Sequence, residues 1–293
     1  MIDILLTILA FNVLIVFFKL FHKYGVDNLQ ALIVNYFVAG SCGLYFSDVP
    51  LSGVEGSINY VIHSPWIFHA VAIGVLFIVT FNLYATGTQK VGIAITTIAN
   101  KLSLFIPVGF ALILYPNEEL TIIKVIGFVL AVIGIYLSST KGKKLSFDKK
   151  YLWLIILVFV GQGFADTIFN NAQKTVVNEA EAGLFFMCLL LIAGISGVLI
   201  LLGKSIKQKP KLEFKNLIAG AIFGIPNYAS LIFFFNALES SGFEASQVFP
   251  VVSMGVVVGS AIVGLILFKE KLTMMNWLGL GFAVVSIYVI TFL

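Results

Sequence analysis

Long apolar stretches, separated by short polar connections, run along the whole chain. Most of them hold about 20 residues, which is the length that an apolar helix needs to cross a bilayer. The pattern predicts ten membrane-spanning helices, at residues 2–21, 28–46, 65–88, 91–115, 119–138, 151–174, 182–203, 214–239, 243–268 and 272–292. The predicted fold class is therefore an all-α integral membrane protein.

The second half of the chain repeats the first. Glu118, Leu120, Thr121, Gly127 and Tyr136 recur 152 positions later as Glu270, Leu272, Thr273, Gly279 and Tyr288. This indicates a tandem duplication: a first five-helix repeat at residues 1–140, an inter-repeat loop at 141–150 and a second five-helix repeat at 151–293. Because five is an odd number, the second repeat must enter the membrane from the opposite side, so the two repeats are inverted.

Composition narrows the class of protein. Hydrophobic residues make up 60% of the chain and charged residues 11%, whereas soluble domains carry about 25% charged residues. This favours a multi-pass protein of the cell membrane, inner or plasma. The lysines cluster in connections between spans, which argues against nucleic-acid binding. No nucleophile elbow, phosphate loop or metal-ligand spacing occurs, so no enzymatic activity, cofactor or metal is predicted.

One charged residue interrupts the fourth apolar stretch. Lys101 follows Val91 by ten residues, which is about 15 Å along a helix and so near the middle of the membrane. An ammonium group costs about 2.5 kcal/mol or more at that depth. Two interpretations stay open: Lys101 attracts a carboxylate or phosphate of a substrate, or it forms a permanent structural ion pair with Asp166.

The sixth predicted span carries a polar stripe. Gln162, Asp166, Asn170 and Lys174 recur every four residues and so share one helix face. The functional interpretation is a cavity wall on which Asp166 binds a cation or a proton. The structural interpretation is the ion pair with Lys101, which never touches substrate.

Other polar residues inside the predicted spans could line the same cavity or hydrogen-bond between helices. They are Thr97 and Asn100 beside Lys101, Asn12 opposite Asp166 in the repeat, Asn35, Asn227 and Tyr228. The 28 phenylalanines are assigned to lipid-facing and packing surfaces.

Connections and helix breakers give three further expectations. Residues 47–64, which contain Pro50 and two glycines, are predicted to form an irregular external or lid-like loop. Glu270 is predicted to stabilise the N-terminus of the helix that follows it. Prolines inside predicted spans are candidate kinks; they are Pro107, Pro226 and Pro250.

The second repeat contains FNALESSGFEASQVFPVVSMGVVVGSAIVGLILFKEKLT at residues 235–273, and its acidic turn matches NEELT at 117–121. These motifs and the ten-span count resemble the EamA-like branch of the drug/metabolite transporter superfamily. The resemblance implies a ten-helix carrier with a central cavity, which moves small metabolites by alternating access. One departure is that Asn100 and Lys101 stand near the place where the second copy has Pro250.

The expected function is secondary active transport of a small polar metabolite, of the amino acid or organic anion class. Protons are a candidate coupling partner, and the bilayer surrounds the chain. Two alternatives stay open on the same fold: a sensory or structural protein that does not transport, and a lipid-handling protein. The sequence specifies neither the substrate, nor the direction of transport, nor the coupling ion, nor the oligomeric state.

Lysine asymmetry predicts the orientation. Fifteen of the 18 basic residues fall on one side of the predicted spans, and only Lys124 and Lys174 lie near span ends on the other. The positive-inside rule then places the 141–150 loop in the cytoplasm and both termini outside. We expect Ser146→Cys to resist an impermeant thiol reagent in intact cells and to react after permeabilisation. Ready labelling of intact cells would reverse the orientation.

Overall fold

A computed structural model describes residues 2–46, 54–114, 122–138, 140–141, 144–145, 147–177, 181–206, 210–240 and 245–292. In these ranges the protein is a helical bundle. Its helices are α1 (Ile2–Lys23), α2 (Asn28–Phe46), α3 (Val54–His63), α4 (Ile67–Lys90), α5 (Ile93–Leu102), α6 (Phe105–Leu114), α7 (Ile122–Ser138), α8 (Leu152–Thr175), α9 (Ala182–Ser205), α10 (Phe214–Ser240), α11 (Ala245–Phe268) and α12 (Met274–Phe292). An antiparallel hairpin of β1 (Thr140–Lys141) and β2 (Lys144–Leu145) and a 3₁₀ turn at Lys149–Tyr151 join the halves.

The predicted all-helical class is confirmed. Nine of the ten predicted spans each correspond to one helix whose ends agree within three residues. Among the described residues, six helices are long and apolar enough to cross a bilayer, and three further apolar helices are shorter. The acidic turn at 117–121 and Ser146 lie outside the described residues.

Two predictions about local structure are wrong. The segment 91–115 is not one helix but two, because the chain turns between the end of α5 at Leu102 and the start of α6 at Phe105. Pro107 supplies the reason: a proline ring clashes with the carbonyl four residues earlier, which belongs to Ser103. The loop at 47–64 is also not irregular throughout, since α3 occupies Val54–His63.

The two halves pack mainly against each other. Helix α1 of the first half packs on α10 and α11 of the second half. Helix α8 of the second half packs on α4 and α5 of the first half. Likewise α2 contacts α10, and α9 contacts α4. Three further pairs join helices that correspond in the predicted repeat: α2 with α9, α5 with α11, and α7 with α12. If each helix is replaced by its counterpart in the other half, the same set of principal helix pairs results.

Glycine permits the close approach of α2 and α10. A Cβ atom at Gly220 would lie 2.3 Å from the carbonyl oxygen of Ala31, and one at Gly224 would lie 2.9 Å from that of Asn35. Backbone atoms cannot move aside as a flexible side chain can, so this spacing of small residues fixes the contact. Without a hydrophobic drive between helices in lipid, such close packing is a principal source of association.

Glu270 ties three elements together at the lysine-rich end of the bundle. Both of its carboxylate oxygens accept from the backbone N–H of Ile93, at 3.2 and 3.1 Å, and Lys19 Nζ lies 2.9 Å from one of them. Lys19 also donates to the carbonyl of Thr88, at 2.9 Å. The carboxylate therefore stabilises the N-terminus of α5 rather than that of the following helix, α12. That helix instead begins with a reciprocal cap between Thr273 and Asn276.

The glycine contact gives a stability prediction. We expect Gly220→Ala to lower the free energy of unfolding by about 1–3 kcal/mol, because its methyl group would overlap the backbone of α2. Gly281→Ala is the matched control, since no heavy atom lies within 4 Å of a Cβ at that helical position. The control should be neutral or stabilising by up to about 1 kcal/mol. Equal effects of the two substitutions on thermal unfolding would contradict the packing argument.

Candidate functional site

A cavity of about 160 Å³ lies where the two halves meet. Four helices of the first half, α1, α2, α4 and α5, and four of the second, α8 to α11, contribute to its wall. Most of the lining is apolar. The polar lining residues are Tyr36, Tyr84, Asn100, Lys101, Gln162, Asp166, Asn227, Ser230 and Ser253.

A hydrogen-bond network joins α5 to α8 at this cavity. Asp166 Oδ1 accepts from Gln162 Nε2 at 2.8 Å, and Gln162 Oε1 accepts from Asn100 Nδ2 at 3.1 Å. The pair Gln162 and Asp166 is four residues apart on α8, so both side chains reach the same side of the helix. The break after α5 brings Ser103 to the network, with its Oγ 3.4 Å from Asp166 Oδ2.

Ser103 has only one hydroxyl hydrogen for two acceptors. Its Oγ lies 2.5 Å from the carbonyl of Asn100 and 3.4 Å from Asp166. Because the hydroxyl can rotate, it can donate to either acceptor, and Asp166 Oδ2 accepts from it at 3.4 Å.

Lys101 stands apart from this network. Its Nζ lies 4.4 Å from the centroid of the Phe11 ring, a cation–π distance. Among the described residues it has no hydrogen-bond acceptor within 3.5 Å and no ion-pair partner within 4.0 Å, so Asp166 also lies beyond that distance. The permanent contact pair between Lys101 and Asp166, left open by the sequence, is therefore not present.

The ten residues selected from the sequence fall into three groups. Five line the cavity: Asn100, Lys101, Gln162, Asp166 and Asn227. Thr97 adjoins it, because its hydroxyl lies 2.8 Å from the hydroxyl of the lining residue Tyr84. The other four are not in the lining and are Asn12, Asn35, Asn170 and Tyr228. A role in substrate binding stays a prediction for all ten.

The residues outside the cavity have contacts of their own. Asn12 donates to the carbonyl of Ile8 at 2.8 Å and packs against Gly259 of α11. Asn35 is fully buried near Gly224 at the contact of α2 with α10. Tyr228 lies beside Gly43. Asn170 is half-buried on α8, one turn beyond Asp166. Lys174, the last member of the stripe, has a side chain outside the described residues.

Some phenylalanines have a second role besides the predicted packing. Seven that belong to the hydrophobic core also line the cavity, and they are Phe11, Phe18, Phe77, Phe81, Phe169, Phe186 and Phe234. Sequence reasoning also left out Tyr36, which is 1% exposed and whose hydroxyl has no hydrogen-bond partner. Aromatic residues are common on every face of apolar helices, so their pattern carries no signal for a cavity.

The missing ion pair leads to a double-mutant prediction. We expect Lys101→Met and Asp166→Asn to have additive effects on thermal stability, to within about 1 kcal/mol. Breaking a contact pair by one substitution would instead cost about 3–5 kcal/mol and be reversed by the second. Thermal unfolding of wild type, both single variants and the double variant measures the coupling. If the double variant recovered the stability lost in a single variant, the interpretation of Lys101 and Asp166 as a structural ion pair would be supported instead.

Three comparisons place the chain among known proteins. The EamA-like transporter family matches residues 2–140. An uncharacterized protein of Haemophilus influenzae is 26% identical over 294 residues, covering 99% of this chain and 98% of the relative. A solved crystal structure shares the fold, with a TM-score of 0.63 and 14% identity over 99% of this chain and 95% of the other. Together with the apolar helices, the family match indicates a multi-pass membrane protein whose residues 2–140 are similar to the EamA-like transporter family.

Proposed function

We propose that the protein is a secondary active transporter, which moves a small polar metabolite of the amino acid or organic anion class by alternating access. The observation that carries the proposal is the cavity between the halves, which contains both a lysine and an aspartate. Ionisable groups within a membrane are costly, so their presence in a shared cavity favours a substrate or ion pathway. The family consists of transporters rather than enzymes, which agrees with this assignment.

We further propose ten spans arranged as two inverted five-helix repeats. In this arrangement α5 and α6 together form the fourth span, α3 lies outside the bilayer, and the remaining helices each cross it. The exchange of helix pairings between halves supports the repeat, because α1 relates to α10 and α11 as α8 relates to α4 and α5. A broken helix beside the cavity is also typical of transporters with inverted repeats.

The contacts of Glu270 with Lys19 and with the backbone N–H of Ile93, called here the Glu270 junction, lie where a gate between the halves would act. This junction links Lys19 of α1 and the N-terminus of α5, both in the first half, to the connection between α11 and α12 in the second. Ile93, where Glu270 binds, is eight residues from Lys101, or about 12 Å along a helix. Alternating access requires that such a link between the halves break when the cavity opens to the lysine-rich side.

Asp166 is the proposed coupling residue. An ionised Asp166 accepts from both Gln162 and Ser103, whereas a protonated one is a weaker acceptor for these two donors. Ser103 lies at the break between α5 and α6. Protonation at Asp166 therefore changes the contact between α8 and the hinge of the fourth span, which couples proton binding to helix arrangement.

Transport into proteoliposomes tests the function. We expect saturable uptake from a mixture of labelled amino acids and monocarboxylates, with a rate that depends on pH. Asp166→Asn should remove uptake or its pH dependence, because it keeps the shape and loses the titrating group. Asp148→Asn is the matched control, since that carboxylate pairs with Lys150 on the surface. Unchanged pH dependence in Asp166→Asn would exclude the coupling role, and no flux of any probe would exclude transport of the proposed substrate classes.

A further inference from the structure

The cavity contains hydrogen-bond donors that have no acceptor among the residues that the structure describes. The Lys101 ammonium has none among the described residues. The Tyr36 hydroxyl is buried without a partner. Asp166, the one carboxylate in the described lining, already accepts from Gln162 through Oδ1 and from Ser103 through Oδ2. The charge left without a partner in the described lining is thus that of Lys101, which requires an acceptor with negative charge.

We propose that the cavity binds a small monocarboxylate with a single aromatic ring or a similarly sized apolar body, and with no ammonium group. Its carboxylate binds Lys101, and its body packs among the phenylalanines. This inference rests on the proposed transport function and narrows its substrate to one class.

Charge matching restricts the ligand to one negative charge. Lys101 is the only cation in the described lining, so a second negative charge on the ligand would be desolvated without a partner. Both oxygens of Asp166 already accept from side chains, Oδ1 from Gln162 and Oδ2 from Ser103. A ligand carboxylate would meet the unpaired Lys101, whereas a ligand ammonium would have to displace one of these donors or lie beside a cation.

The apolar wall selects the body of the ligand. Phe77 and Phe81 are tilted with centroids 5.6 Å apart, and Phe169 and Phe186 are tilted at 5.8 Å. Such rings provide both faces and edges for another aromatic ring. The volume of about 160 Å³ is close to that of an engineered apolar cavity of about 150 Å³ that holds benzene. One ring with a short acid chain is therefore the expected size.

A matched set of small molecules tests the proposal on the full-length wild-type protein. Binding is measured by calorimetry in detergent with 3-phenylpropanoate, its neutral amide, phenylalanine, propanoate and phenyl phosphate. We expect 3-phenylpropanoate to bind best and each other compound to bind roughly tenfold or more weakly, since each loses the charge, gains an ammonium, loses the ring or adds a charge. This comparison needs no variant, so it does not depend on the folding of a mutant.

Variants then locate the site. Lys101→Met should abolish the preference of 3-phenylpropanoate over its amide, while Lys90→Met, which removes an exposed lysine at the end of α4, should leave it intact. Tighter binding of phenylalanine or phenyl phosphate than of 3-phenylpropanoate would overturn the proposal, as would an unchanged preference in a folded Lys101→Met protein.

Flux measurements separate this inference from the function on which it rests. Binding of 3-phenylpropanoate without its uptake into proteoliposomes would refute transport and keep the ligand class. Saturable uptake of another compound, without binding of 3-phenylpropanoate, would refute the ligand class and keep transport.

Discussion

The free-energy cost of placing the Lys101 ammonium group inside an apolar helical bundle is the main constraint on the centre of this protein. Lys101 cannot reach either membrane surface easily from the middle of the fourth apolar stretch, and no ion-pair partner within 4.0 Å neutralises it among the described residues. It lies instead on a cavity wall, with its Nζ against the ring of Phe11. A cavity that admits water or an anionic ligand is the arrangement that keeps such a charge tolerable.

Glycine packing and the Glu270 junction hold the walls of that cavity in position. Gly220 lets α10 approach the backbone of α2 closely. Glu270 fixes the N-terminus of α5, and Gly92, just before that helix, has a φ of 127° that favours glycine. At its other end α5 stops at Leu102, where Pro107 prevents a continuous helix. Helix α5, which carries Lys101, is thus held at its N-terminus by Glu270, and at its other end it stops at a break in the chain beside Asp166.

The charged residues of the cavity were predictable from the sequence, but the full set of residues that line it was not. Lys101 and Asp166 were identified because charged residues in apolar spans are rare, and the four-residue spacing placed Gln162 beside Asp166. The same polarity argument also selected Asn12, Asn35 and Tyr228, which lie at helix contacts away from the cavity lining. An asparagine in a span satisfies either role equally well, so composition alone cannot separate a cavity wall from an interhelical contact. Phe11 has no polar group that would mark it as a cavity residue, and nothing in the sequence separates Tyr36 from the other tyrosines in the spans.

The sequence by itself determined the helical class, nearly all helix boundaries, the resemblance between the halves and the two charged residues of the cavity. These follow from local properties, namely the apolar length of each helix and the expense of a charge within it. The tertiary structure decided that Lys101 and Asp166 form no contact pair, that Glu270 stabilises α5 instead of α12, and that aromatic rings form the cavity wall. Those outcomes depend on which helix faces meet across the two halves, and that pairing is set by packing between residues far apart in the chain.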